Sequence, residues 1–203
     1  MTKDEDINND EWPEKCAHRP ATVRAALPRN GGSGVEVYAV QSLQKQVPYL
    51  PSCKDQTWNI MKLLDGRTGR LADLGSGDGR VVFAASSAGF KCTGFEINSI
   101  LVAYARAKAR WTALPSSQAI FVKKYFWKTD LSQYNNVTAF LATGVMEVLG
   151  EKLLKELPDD ARVIACRYPF PSWPHQSTLG SGLNQTWAYD IGTVRSSLRQ
   201  NVK

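Results

Sequence analysis

Asp73-Leu-Gly-Ser-Gly-Asp-Gly-Arg80 follows a short apolar run and leads into a helix-forming one. Its glycines stand at every second position, Gly75, Gly77 and Gly79, so the backbone can turn tightly and meet a ligand without an intervening β-carbon. A dinucleotide-binding loop spaces its glycines as GxGxxG and holds a pyrophosphate on the amides of a helix N-terminus. Here the carboxylates of Asp73 and Asp78 would repel a pyrophosphate. They suit an ammonium and ribose hydroxyls, the combination that S-adenosylmethionine carries, and they point to a methyltransferase.

Glu96 ends the next apolar run, Lys91–Glu96, roughly 20 residues beyond the turn, where an acid can accept both ribose hydroxyls. The alternative for Glu96 is a helix cap, and Asn98 serves either the same edge or the start of the following helix. Outward from this pair the chain alternates. Strands are expected at residues 71–74, 91–96, 119–122, 137–141, 162–166 and 186–189, and helices from about Arg80, over residues 99–111 and over residues 145–157. Such alternation implies a mostly parallel sheet with helices on both faces and a ligand beyond the carboxyl ends of the strands. Before it, Ser52 and Asp55 read as a capping box for a helix carrying Trp58, Met61 and Leu64.

The 203 residues suffice for one α/β domain. The expected division is a flexible polar tail over 1–34, a leading segment and helix over 35–66, the catalytic domain over 67–195 and a short tail over 196–203. Of the 25 basic and 19 acidic residues, one and six lie in the first fourteen positions, leaving a body with 24 and 13. A basic body suits an acidic partner such as RNA, anionic lipid or an acidic protein surface, and equally a solvated surface. Cys16, Cys53, Cys92 and Cys166 form no CxxC pair and have no histidine at ligand spacing, so no metal is expected; Cys92 and Cys166 read as small hydrophobes in a reducing compartment. No stretch reaches the roughly 20 apolar residues of a membrane span.

Methyl transfer from a sulfonium needs an aligned nucleophile with a free lone pair. For a lysine that means losing a proton, which apolar aromatic surroundings favour. Tyr168, Phe170 and Trp173, in Arg167-Tyr-Pro-Phe-Pro-Ser-Trp173, are candidates for such a channel or, alternatively, for packing of the loop on the sheet. His175 reads as a surface residue.

Residues 47–190 resemble the small seven-β-strand lysine methyltransferases of mitochondria, whose characterised members methylate the c subunit of ATP synthase or the adenine nucleotide translocase. The resemblance is carried by Val47-Pro-Tyr-Leu-Pro-Ser52, Leu74-Gly-Ser-Gly-Asp-Gly-Arg80, Gly94-Phe-Glu-Ile-Asn98, the run from Ala161 to Trp173 and Trp187-Ala-Tyr-Asp190. It implies a single-domain, Rossmann-like α/β fold of the seven-β-strand, class I S-adenosylmethionine-dependent type. It also implies a monomer acting on a protein lysine rather than on nucleic acid, with at most peripheral membrane contact, and a mitochondrial setting, the alternative being cytoplasmic. By this resemblance Asp73, Gly75, Gly77, Asp78 and Glu96 fall at cofactor-binding positions and Ser52 where the leading segment would close over the cofactor; Ser76 and Gly79 of the turn and Asn98 beyond Glu96 are expected to bind the cofactor with them. The chain departs from the family pattern in a polar stretch where members carry a membrane anchor, in Asn98-Ser-Ile-Leu101 for Asn-Pro-Trp-Leu, and in Tyr125-Phe-Trp-Lys128 for Asp-Leu-Trp-Lys. Alternatives to the lysine reading are an RNA or small-molecule methyltransferase and a non-catalytic cofactor-binding protein, the last motivated by Tyr125 in place of an acid.

Overall fold

Four runs are buried along most of their length: Arg70–Leu74 (β1), Lys91–Glu96 (β2), Asn136–Ala139 (β4) and Arg162–Cys166 (β5), with the polar Asp73, Asn136 and Thr138 among them hydrogen-bonded. Residues of this kind form the centre of a parallel sheet, because neither face can be left to water. The computed structural model describes residues 53–200. In it these strands join Ala119–Lys123 (β3), Ser177–Leu179 (β6) and Thr186–Asp190 (β7) in a seven-stranded sheet of order β3-β2-β1-β4-β5-β7-β6. Strands β1 to β5 run parallel, whereas β7 is antiparallel to β5 and β6 to β7. Asp190 accepts from Nε and Nη2 of Arg162 at 2.7 and 3.0 Å and so pins β7 to β5. The chain reverses direction across the sheet between β1 and β4, the place where open α/β sheets hold ligands.

Among the described residues five helices cover the sheet: Lys54–Leu63 (α1), Arg80–Ser87 (α2), Ser99–Trp111 (α3), Met146–Glu156 (α4) and Ile191–Gln200 (α5). Strand alternation sorts the core into two layers. Leu71 of β1 packs with Ile60, Val82 and Val102 on one face, and Ala72 and Leu74 pack with Leu149, Leu153 and Val194 on the other.

The expected strands and helices from residue 71 to residue 190 are all present, shifted by at most two residues at their ends. Three features differ. The cap of α1 is Cys53 rather than Ser52: its backbone is extended (φ −78°, ψ 171°) and its Sγ accepts from the Gln56 N–H at 3.4 Å. Ser52 itself, with the tail over 1–34 and the leading segment up to residue 52, lies outside the described residues. Trp58 is 58% exposed, and α1 instead buries Gln56, Asn59, Ile60 and Leu63, because its inner side meets the loop between β6 and β7, where Asn59 Nδ2 donates to the Asn184 carbonyl at 3.1 Å. Strand β6 and helix α5 are not apparent from the sequence pattern, and α5 continues past residue 195, where a tail is expected to start.

Gly79 precedes α2 at φ 85°, and a β-carbon there would stand 2.6 Å from the Phe121 ring. Gly89, at φ 93°, has open space around it. Gly79→Ala combines left-handed strain with overpacking and should cost about 2–4 kcal/mol in urea unfolding, whereas Gly89→Ala should cost about 1–2 kcal/mol, from the backbone alone. Equal costs would remove packing as the reason for Gly79.

Candidate cofactor-binding and active site

The turn after β1 is built by three left-handed glycines, Gly75, Gly77 and Gly79, with φ of 83°, 54° and 85°. L-residues avoid this region, which accounts for glycine at alternate positions. The turn folds over the end of β2: the amides of Gly75 and Ser76 both donate to the Phe95 carbonyl, at 2.9 and 3.0 Å, and the Gly79 amide closes back on the Ser76 carbonyl at 2.8 Å. Ser76 is buried and its Oγ has no hydrogen-bond partner among the described residues.

Glu96 faces this turn. Its Oε2 accepts from the Gly77 amide at 3.0 Å, and its Oε1 accepts from Ile97 and Asn98 at 2.7 and 2.8 Å. Charge-assisted bonds of this kind fix both the carboxylate and the loop that donates to it. Oε2 has taken one of the two hydrogen bonds it can accept, so Glu96 can still receive a ligand hydroxyl. Asn98 is exposed and caps α3, with Oδ1 accepting from Ile100 and Leu101 at 2.9 and 3.4 Å. Asp78 forms an ion pair with Arg80 at 2.8 Å.

Asp73 is 5% exposed, between β2 and β4, and its Oδ1 accepts from the Thr138 hydroxyl at 2.7 Å. Burial pushes its carboxyl up to about 7; the Thr138 hydrogen bond pulls the other way, while Glu96 and Asp78 push up by repulsion. Burial, with a second contribution from Asp73, also raises the thiols of Cys92, to about 12, and Cys166. Both are free and buried, and neither is poised for thiolate chemistry. Thr138 does not stand out in the sequence. Its only signal there is its place in the strand that the topology sets beside β1.

The aromatic run after β5 divides. Phe170 is 3% exposed, stacked on Trp173 at 4.2 Å, edge-on to Tyr189 at 5.3 Å and against Gly150 of α4, so its ring packs in the core. Trp173 is half-buried in the same cluster, and Tyr168 is half-buried beside the guanidinium of Arg167. His175 is exposed. Tyr125 precedes a short 3₁₀ turn, Phe126–Lys128, beyond β3, and Asp130 is exposed and receives the Ser132 amide and hydroxyl. Among the described residues no group of three or more metal-ligating side chains occurs, and no helix is long and apolar enough to cross a membrane.

A sheet of this order, with a glycine turn after its first strand and an acid closing the second, defines the Rossmann-like fold of S-adenosylmethionine-dependent methyltransferases. The family model described as the ANTKMT methyltransferase domain matches residues 73–177. The chain is 44% identical over 172 residues to the human lysine N-methyltransferase of the ATP synthase c subunit, covering 81% of this chain and 73% of that one. It is 40% identical to the mouse adenine nucleotide translocase lysine N-methyltransferase, covering 79% of this chain and 75% of that one. Among solved structures it resembles an RNA methyltransferase from Salinibacter ruber in complex with S-adenosyl-L-homocysteine, with a TM-score of 0.64 and 26% identity over 70% of this chain and 94% of that one. The chain belongs to the ANTKMT methyltransferase family.

Replacing Glu96 by alanine removes the acceptor of three backbone amides at once. Unfolding followed by circular dichroism should show a loss of about 1–3 kcal/mol even with no ligand added. An unchanged melting curve would mean that Glu96 does not organise the turn.

Proposed function

We propose that this protein is an S-adenosylmethionine-dependent protein-lysine N-methyltransferase acting on the c subunit of ATP synthase or the adenine nucleotide translocase, and that it works at the mitochondrion. The observation that carries this reading is the likeness to lysine N-methyltransferases over most of the chain, the turn and Glu96 lying within the stretch that the family model matches. The residues present fit the cofactor. Glu96 offers an acceptor for ribose hydroxyls, Ser76 a buried hydroxyl still without a partner, and Asp73 a carboxylate whose ionisation a ligand ammonium would favour. Gly75, Gly77, Asp78 and Gly79 hold the turn in place around them.

When bound, the cofactor supplies an electrophilic methyl group on a sulfonium. The protein's part is to align the acceptor and keep its amine neutral. A lysine has an ordinary pKa of about 10.4, and desolvation favours its neutral form. Phe140, half-buried after β4, and Tyr168, half-buried after β5, give the carboxyl edge an apolar rim suited to this.

The test is transfer of labelled methyl from S-adenosylmethionine to unmethylated mitochondrial membranes, run beside total RNA, with Asp73→Ala as control. Label on a lysine of one of the two proteins is the expected result. Label on RNA alone would transfer the assignment to nucleic acid, and no label with cofactor binding intact would make the protein a non-catalytic binder.

A second expectation concerns pH. In the folded protein the Asp73 carboxyl sits at about 7, above the usual carboxylate range, so the native state holds this proton more tightly than the unfolded chain. Its contribution to stability is therefore greatest below about pH 4 and is lost as pH rises towards 7. A cationic ligand that pairs with Asp73 has the opposite dependence. Affinity for S-adenosylhomocysteine, measured by calorimetry, should strengthen between pH 6 and pH 8, and Asp73→Asn should flatten that rise. The same slope in Asp73→Asn would exclude Asp73 as the ammonium partner.

A further inference from the structure

Arg167 stands one residue beyond β5, at the end of the sheet where the glycine turn and Glu96 lie. Its φ is 68°, one of two positive values outside glycine among the described residues, the other being Ala113. A residue with a β-carbon takes this conformation only where its surroundings impose it, and such strain gathers at functional sites. The Arg167 amide donates to the Gln185 carbonyl at 2.9 Å, and the guanidinium centre lies 5.6 Å from the Tyr168 ring. Its Nε and Nη2 are buried and have no hydrogen-bond partner among the described residues.

Two other arginines spend these same two nitrogens. Nε and Nη2 of Arg162 grip the Asp190 carboxylate side-on, and Nε and Nη2 of Arg106 converge on the Phe121 carbonyl. Arg167 presents the identical edge with no hydrogen-bond acceptor set against it among the described residues. Buried, permanently charged donors are costly to leave unmatched, and the planar fork matches a carboxylate. A further donor comes from α1. Gln56 Nε2 is also buried and has no hydrogen-bond partner among the described residues, on the first turn of a helix that Cys53 ties to Asn184 at 3.1 Å, beside the Gln185 that receives the Arg167 amide.

We propose that Arg167 is a carboxylate-binding residue of the active site, taking a carboxylate side-on through Nε and Nη2, with the Gln56 amide assisting. Strand β5 lies three strands from β2, roughly 14 Å at the usual inter-strand spacing, so Arg167 is across the switch point from Glu96. That position assigns the carboxylate to the methyl acceptor, as an acidic group accompanying the target lysine. Only this choice of source rests on the methyl-transfer reading.

The experiment follows the arginine Nε–H resonances of the full chain by ¹⁵N NMR, with that of Arg167 identified by its disappearance in Arg167→Gly. Glycine suits the left-handed backbone, so this variant should melt no lower than the parent. In the protein saturated with S-adenosylhomocysteine, acetate should move the Arg167 signal saturably, and chloride at equal ionic strength should not. A shift produced by S-adenosylhomocysteine alone, absent with 5′-methylthioadenosine, would keep Arg167 as a carboxylate site but give the carboxylate to the cofactor. No response to either probe, or a marked loss of stability in Arg167→Gly, would overturn the proposal in favour of a structural role. In methyl-transfer assays Arg167→Lys should raise KM for the acceptor at least tenfold with S-adenosylhomocysteine affinity unchanged. Acetate binding in a protein that transfers no methyl would refute the enzyme reading while leaving Arg167 as an anion site.

Discussion

The carboxylate of Glu96 holds the site together. It sits at the end of one strand and receives the amide of Gly77 from the turn after its neighbour, so the two loops that flank a ligand are joined by one side chain. The same carboxylate takes the first amides beyond its own strand and sets where α3 begins. A charged acceptor surrounded by backbone donors is organised before any ligand arrives, which lowers the ordering cost of binding.

Around that clamp, charge is placed unevenly. Asp73 is buried deeply enough to resist ionisation, while Asp78 is balanced by Arg80 and Glu96 by backbone amides. Three carboxylates within one turn and one strand end thus avoid competing for the same role. On the far side of the switch point the balance reverses, with an arginine whose Nε and Nη2 have no partner among the described residues. On the proposed reading the two halves take ligand groups of opposite charge, an ammonium on one side and a carboxylate on the other.

Much of the fold was legible because its signals are local. Residues 71–74, 91–96 and 162–166 are apolar runs bounded by turn residues, and Asn98 caps α3 as its residue type suggests. What escaped is what depends on neighbours distant in sequence. Strand β6 is three largely exposed residues, ordered by pairing with β7, and α5 follows β7 directly, the Asp190 carboxylate at the junction being taken by Arg162 of β5. Within the site, glycine spacing and Glu96 could be read directly. The burial of Phe170 against Gly150, the Thr138 hydroxyl on Asp73 and the unspent donors of Arg167 are products of tertiary packing, to which a single sequence gives no access.

The placement of β1 between β2 and β4 governs when the site can exist during synthesis. Leu71 pairs with Cys92 on one side but with Asn136 on the other, a partner made 65 residues later. At about 5–20 residues per second a ribosome leaves the glycine turn waiting several seconds for the strand that encloses Asp73. Until then Asp73 is in water and ionises as an ordinary carboxylate. The turn can take its local shape early, but the buried acid beneath it comes into being only with the crossover to β4.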